Sequence, residues 1–176
     1  MLLTTSGIPL AAVRPADIPE IRQPGEAPVA FCRRLAAEKA AAVDDGTAWV
    51  LAADTIVHTD EDIFGKPSDD GDAAAILRSL SGRWHRVTSA WCLSRGGQAS
   101  VHHTTTRVRF RALTEAEIAC YIATGEGRDK AGSYGIQGIG AVLVQELEGS
   151  YTNVVGLPLA EVITALAAVG ITGEAP

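Results

Sequence analysis

The sequence has no excess of positive charge, no paired cysteines and no apolar run long enough to cross a bilayer. Fifteen Lys and Arg stand against 21 Asp and Glu, a formal net charge of −6. A general nucleic-acid binder carries a basic balance, so nucleic acid is not expected as a partner. Three cysteines occur, at positions 32, 92 and 120, with no Cys-x-x-Cys pair. That spacing suits neither a structural zinc site nor a disulfide scaffold. The three read as reduced core thiols of a cytoplasmic protein. The longest apolar stretches, such as Ala48 to Ala53, fall far short of the roughly 20 residues of a membrane-spanning helix. No basic segment followed by a long apolar run opens the chain, so neither a secretory leader nor a membrane partner is expected.

What is present describes a folded chain. Apolar residues make up 47% and charged residues 20% of 176 positions, which excludes a disordered polymer and suits one domain spanning 1–176. A short strand is expected at Leu10–Val13, then a proline-rich loop over Pro15–Pro28. Ala27–Val43 shows helical period, with Phe31, Leu35 and Ala42 on one stripe. Ala48–Ala53 reads as a strand buried on both faces, ending at Asp54 and continued by Ile56-Val57-His58. A helix follows from Asp69 to Leu80, with Ala73, Ile76, Leu77 and Leu80 on one face. Trp84–Leu93 and Ala99–Phe110 flank Arg95-Gly96-Gly97 as a hairpin. Thr114, with Glu117 three residues on, is a capping box opening a helix to Ala123. Gly125–Gly140 holds six glycines in sixteen residues. Val142-Leu143-Val144 reads as a strand, Gly149–Pro158 as a loop and Leu159–Val169 as a closing helix. This order indicates a mixed α/β fold.

A few residues could carry chemistry. Asp54 stands at the carboxyl end of a strand, where α/β sheets bind ligands; a turn-forming Asp is the plainer alternative. Lys39 in a helix and Lys66 in Gly65-Lys66-Pro67 could converge on a polyphosphate as point charges; solvated lysines are the alternative. The run Asp129–Gly138 would bring backbone close to a ligand, and Gln137 offers a donor and an acceptor to a base edge; a glycine-rich structural turn is the equal alternative. It is not a P-loop, because no Gly-Lys-Ser/Thr follows four spacers. His85, His102 and His103 are a weak metal signal, since adjacent histidines on a strand face opposite ways.

Six segments, in order, resemble the Maf family of nucleoside triphosphate pyrophosphatases. They are Arg34-Leu-Ala-Ala-Glu-Lys39-Ala, Ala52-Ala-Asp54-Thr55-Ile-Val, Gly65-Lys66-Pro67, Leu80-Ser-Gly82 with His85, Asp129-Lys130-Ala-Gly-Ser-Tyr-Gly-Ile-Gln137-Gly138, and Gly149-Ser-Tyr-Thr-Asn-Val-Val-Gly-Leu-Pro158-Leu. The resemblance implies a Maf/Ham1-like α/β fold: a central elongated mixed sheet flanked by helices, with a cleft between two lobes. It implies hydrolysis of a nucleoside triphosphate to monophosphate and pyrophosphate by a cytoplasmic homodimer using Mg²⁺ or Mn²⁺. Asp54 matches the proton acceptor, Lys39 and Lys66 the phosphate-contacting lysines, and Glu20, with Asp54, the acidic residues at the metal. Thr55 and Gln137 match positions tied to base choice, and Lys130 and Gly138 belong to the same substrate-binding run. Asp-Thr together with Gly-Ile-Gln-Gly resembles the branch acting on dTTP and UTP.

One family segment is not matched. Family members open with a strand, a Ser-x-Ser-Pro-Arg-Arg loop and a helix ending in Leu-Leu. Here Leu2-Leu3 and Ser6-Gly7-Ile8-Pro9 match the end of that helix, and the strand and arginine loop are lacking. Arginines would bind phosphate bidentately in a way lysine does not copy. Two readings therefore stand. The chain is a dTTP/UTP pyrophosphatase whose start lies upstream, or a catalytically impaired nucleotide-binding protein with a regulatory role linked to septum formation.

Overall fold

The computed structural model describes residues 2–173. The chain runs α1 (Leu2–Thr5), α2 (Pro28–Val43), β1 (Val50–His58), β2 (Ile63–Phe64), α3 (Asp70–Leu80), β3 (Trp84–Arg95), β4 (Gln98–Phe110), α4 (Glu115–Ala123), β5 (Val144–Glu148), α5 (Tyr151–Val155) and α6 (Leu159–Ala168). Short 3-10 helices cover Ala131–Ser133 and Ile139–Leu143. The strands form one five-stranded sheet in the order β2-β1-β3-β4-β5, and this mixed α/β architecture agrees with the expected class. β1 pairs antiparallel with β2, and β4 with β5. The β4–β5 register shifts between Arg109 and Phe110, which pair with Glu146 and Val144.

Local signals explain most boundaries. Pro28 opens α2, where its missing N–H costs nothing. Asp69 caps α3 by accepting from Asp72 N, and α4 has the full reciprocal box between Thr114 and Glu117. β3 turns into β4 over Gly96 and Gly97, whose φ values of 60° and 80° only glycine adopts readily. Asp44, at the end of α2, accepts from Gly46 N at 2.9 Å, Gly96 N at 3.1 Å and Gly97 N at 3.4 Å.

Contacts divide the chain into two units, each with its own core. One gathers the chain up to Asp54, Ser89–Thr104 and the chain from Gly156. Its core packs Ile8, Trp91, Leu93, Leu157, Val162 and Leu166. The other gathers Thr55–Thr88 and Thr105–Val155, around Leu77, Leu80, Val87, Val108, Phe110 and Leu143. In the second unit Asn153 is buried and donates to Val87 O at 2.9 Å and Thr106 Oγ1 at 3.0 Å. It thereby fastens α5 to β3 and β4.

Several expectations need correction. Leu10–Val13 is not a strand but an exposed segment without regular structure; Pro9 and Pro15 bracket it, and proline cannot donate to a ladder. The buried stripe of α2 is Phe31, Cys32, Leu35, Ala36 and Ala40. Ala42 lies in the last turn and is exposed. The run Ala48–Ala53 is exposed to half-buried, and the buried half of β1 begins at Asp54. Val142 and Leu143 belong to a 3-10 helix, and the strand starts at Val144. The segment Gly149–Pro158 contains α5, started by Ser150 Oγ accepting from Asn153 N. Cys32 and Cys92 are buried, but Cys120 is exposed, on the face of α4 opposite inward-facing Ile118 and Tyr121.

Candidate active site

Asp54 does not end its strand. The β-branched run Thr55-Ile56-Val57 carries β1 on to His58, so Asp54 lies in the middle. Its side chain is 7% exposed. Two residues on one face of α2, seven apart, both reach it. Lys39 Nζ donates to Asp54 Oδ1 at 2.6 Å, and Cys32 Sγ donates to the Asp54 carbonyl at 3.3 Å. Lys39 Nζ also lies 2.6 Å from Glu20 Oε1, so one ammonium is shared by two carboxylates. Thus Glu20, Lys39 and Asp54, from a loop, a helix and a strand, form one cluster.

The loop bearing Glu20 has no regular structure, yet it is firmly held. Arg34 forks onto Glu26 with Nε–Oε1 at 2.7 Å and Nη2–Oε2 at 2.8 Å. The same Nη2 donates to the Ile21 carbonyl at 3.0 Å, and Nη1 reaches Glu38. The Arg34 bonds hold the Glu26 carboxyl down at about 2. Arg34 and Glu26 were not marked as site residues by sequence. Their only signal was an Arg opening the Arg-Leu-Ala-Ala-Glu-Lys run and a second Glu, after Glu20, in the proline-rich loop.

Burial pushes the Asp54 carboxyl up, against the opposing pull of Lys39; the Glu20 charge adds to the rise. Burial works against the Lys39 charge, but the bonds to Asp54 and Glu20 outweigh it, and its pKa is raised. The cluster is thus a carboxylate of raised basicity beside a lysine that stays charged. Glu20 and Asp54 are hard oxygen donors. Among the described residues no group of three or more His, Cys, Asp or Glu is placed to hold a metal. Two carboxylates suffice for Mg²⁺, which usually takes one or two and fills the rest with water and substrate phosphate.

Thr55, next along β1, is half-buried and by strand alternation points to the opposite face from Asp54. Lys66 is exposed in the turn after β2. Gly65 O accepts from Gly132 N at 3.1 Å, which joins this turn to the glycine-rich run. There, Lys130 Nζ bonds Asp129 Oδ1 at 2.7 Å. That bond, the Lys130 charge and a lesser contribution from Lys66 lower the Asp129 pKa, so the two lysines share one neighbourhood.

Gln137 and Gly138 are exposed on the loop after Tyr134. Its organiser is Glu126, which sequence reading missed. Glu126 Oε1 accepts from Ile139 N at 2.7 Å, and Oε2 accepts from Gly140 N at 2.7 Å and from the Tyr121 hydroxyl at 2.8 Å. A Cβ at Gly138 would overlap Glu126 Oε1. The available signal was a carboxylate flanked by Gly125 and Gly127 inside a run rich in backbone N–H groups.

The histidines are dispersed in role. His85 is buried and its Nε2 lies 2.8 Å from the Tyr134 hydroxyl. Burial holds its pKa down to about 4, which leaves it neutral. His102 stacks on Trp91, with centroids 4.5 Å apart, and His103 Nδ1 lies 3.2 Å from Arg33 Nη1. Among the described residues no helix is long and apolar enough to cross a membrane.

Comparison with known proteins bears on all of these segments. The chain is 46% identical over 168 residues to a protein of Alcanivorax borkumensis named dTTP/UTP pyrophosphatase, covering 94% of this chain and 87% of that one. It is 49% identical over 164 residues to a protein of the same name from Nitratidesulfovibrio vulgaris, covering 91% and 77%. A third relative of that name, from Cereibacter sphaeroides, is 44% identical over 171 residues, covering 97% and 89%. The family model described as Maf-like protein matches residues 1–169, and the chain belongs to the Maf-like protein family.

Proposed function

We propose that this chain hydrolyses dTTP and UTP to the nucleoside monophosphate and pyrophosphate. The observation that carries the reading is the buried Asp54 carboxylate, bonded to Lys39 and raised in basicity, in a chain whose relatives are named for that reaction. A base works best with a pKa near the working pH, and burial moves Asp54 in that direction.

In the proposed reaction water attacks the α-phosphorus, the bond to the β-phosphate oxygen breaks, and pyrophosphate leaves. Asp54 orients the water and takes its proton. Lys39 and Lys66 stabilise charge spreading over the phosphoryl oxygens. Lys130 and Gly138 line the substrate, while Thr55 and Gln137 read the base, Gln137 through its amide donor and acceptor. Glu20 and Asp54 would hold Mg²⁺ or Mn²⁺, which when bound polarises phosphoryl oxygens. The charges agree with this: two carboxylates and one ammonium sum to −1, which repels a polyphosphate, and a divalent cation reverses the sign. The protein acts, in this reading, as a cytoplasmic homodimer.

Asp54→Asn tests the proposal. Pyrophosphate release from dTTP and UTP with Mg²⁺ or Mn²⁺ should fall at least about a hundredfold, the usual worth of a positioned base, with the circular dichroism spectrum retained. Release near the wild-type rate would refute it.

A further inference from the structure

Glu126 makes no contribution to the chemistry proposed above, yet it holds the segment that presents Gln137. Its carboxylate spans two consecutive backbone donors, Ile139 N and Gly140 N, both at 2.7 Å. Its third partner, the Tyr121 hydroxyl, accepts in turn from Gly135 N at 3.1 Å. The Tyr121–Glu126 pair therefore bonds the loop on both sides of Gln137, at 135 and at 139–140. The glycines fit closely around this hub. A Cβ at Gly140 would come within 2.8 Å of the Tyr121 hydroxyl and 2.6 Å of Gly135 O, and a Cβ at Gly138 would overlap the Glu126 carboxylate.

The chemistry of the hub requires an ionised carboxylate. Two adjacent N–H donors and a hydroxyl donor all aim at Glu126. An amide offers one acceptor oxygen and turns a second N–H donor toward a donor. Burial works against the Glu126 charge, but the bonds from Gly140, Tyr121 and Ile139 prevail and its pKa is lowered. Glu126 is thus an ionised clasp at neutral pH. Ionised acceptors of this kind make shorter, stronger bonds than neutral ones.

We infer that Glu126, braced by Tyr121, is a positioning residue for nucleobase selection: it sets the conformation of residues 135–140 and so the placement of Gln137. The inference rests on the reading of Gln137 as the base-reading residue. Loosening the clasp should let the loop accommodate bases that the native loop excludes, while Asp54 and Lys39 stay as they are.

The test compares relative kcat/KM on dTTP, UTP and CTP for wild type, Glu126→Gln, Tyr121→Phe, Gln137→Ala and the double variant Glu126→Gln/Gln137→Ala. Glu126→Gln should reduce discrimination between UTP and CTP roughly tenfold, the scale of one lost charge-assisted bond. Tyr121→Phe should give a smaller change in the same direction. The double variant should discriminate no worse than Gln137→Ala alone, since both act through one residue. Amide exchange at Ile139 and Gly140 should quicken in Glu126→Gln. A purely structural role would lower all rates together and leave the ratios unmoved. If Gln137→Ala flattens the ratios and Glu126→Gln and Tyr121→Phe do not, the inference is overturned while the reading of Gln137 stands. If Gln137→Ala leaves the ratios unchanged, the reading of Gln137 fails, and the inference falls with it.

Discussion

Replacing Lys39 by methionine keeps most of the apolar stem but removes the only cation bonded to Asp54 among the described residues, so it isolates what that charge does. Asp54 is 7% exposed and its Oδ1 lies 2.6 Å from Nζ. An opposite charge this close lowers a carboxyl pKa by about 1–3 units, so its loss should raise the native Asp54 pKa by that amount. Each unit corresponds to about 1.4 kcal/mol, which gives a stability loss of roughly 1.5–4 kcal/mol at neutral pH. The sign of the pH dependence follows. Asp54 already has a native pKa above its usual value, so near that pKa the native state binds more protons than the unfolded chain. Stability then falls as pH rises through the native value. Lys39→Met deepens this penalty and extends it to higher pH. Below the ordinary aspartate range both states are protonated and the difference from wild type should shrink. Thermal unfolding in the presence of chelator, at neutral and at acid pH, measures it; for a chain of this size about 1 kcal/mol moves the midpoint roughly 2–4 °C. Adding Asp54→Asn to Lys39→Met should recover most of the loss, because no buried charge is left without its partner. An equal loss at both pH values, or no recovery in the double variant, would refute the reasoning.

Two other outcomes follow from local structure. Thr114→Ala removes a bond to Glu117 N and the hydroxyl contact to the Glu117 carboxylate; it should cost about 1 kcal/mol, the usual worth of such a cap, with kcat/KM on dTTP unchanged. A thiol reagent under native conditions should label Cys120 alone, since Cys32 and Cys92 are buried and burial also raises the Cys92 pKa; mass spectrometry of the labelled peptides reads the result.

Features legible in the sequence were those set by a few neighbouring residues. Thr114 and Glu117 announced their cap, Gly96-Gly97 its turn, and Asp69 the start of α3, because each is decided within four positions of the chain. Lys39 and Asp54 were legible one at a time, as a lysine in a helix and an Asp on a strand, but not as a bonded pair, since 15 positions separate them and their bond forms only where α2 meets β1. The Tyr121–Glu126 hub left no periodic trace, because its donors are backbone N–H groups that any residue supplies. Arg34 hid for a related reason: one of its acceptors is the Ile21 carbonyl. The apolar run before Asp54 misled, because composition reports what a strand could bury and not what packs against it. The wholly apolar start of β1 is half-buried, and the half after it is the more buried although it contains Asp54, Thr55 and His58.

The carboxylate of Asp44 has a practical consequence for anyone who wishes to tag or split this protein. The tip of a hairpin, exposed and made of two glycines, is where an inserted epitope or fluorophore is normally harmless. Here the Gly96 and Gly97 amides are tied to the end of α2 through Asp44, the same helix that carries Lys39. Lengthening that turn would pull on the frame behind the lysine, so a graft at the tip should report on catalysis rather than ride along silently.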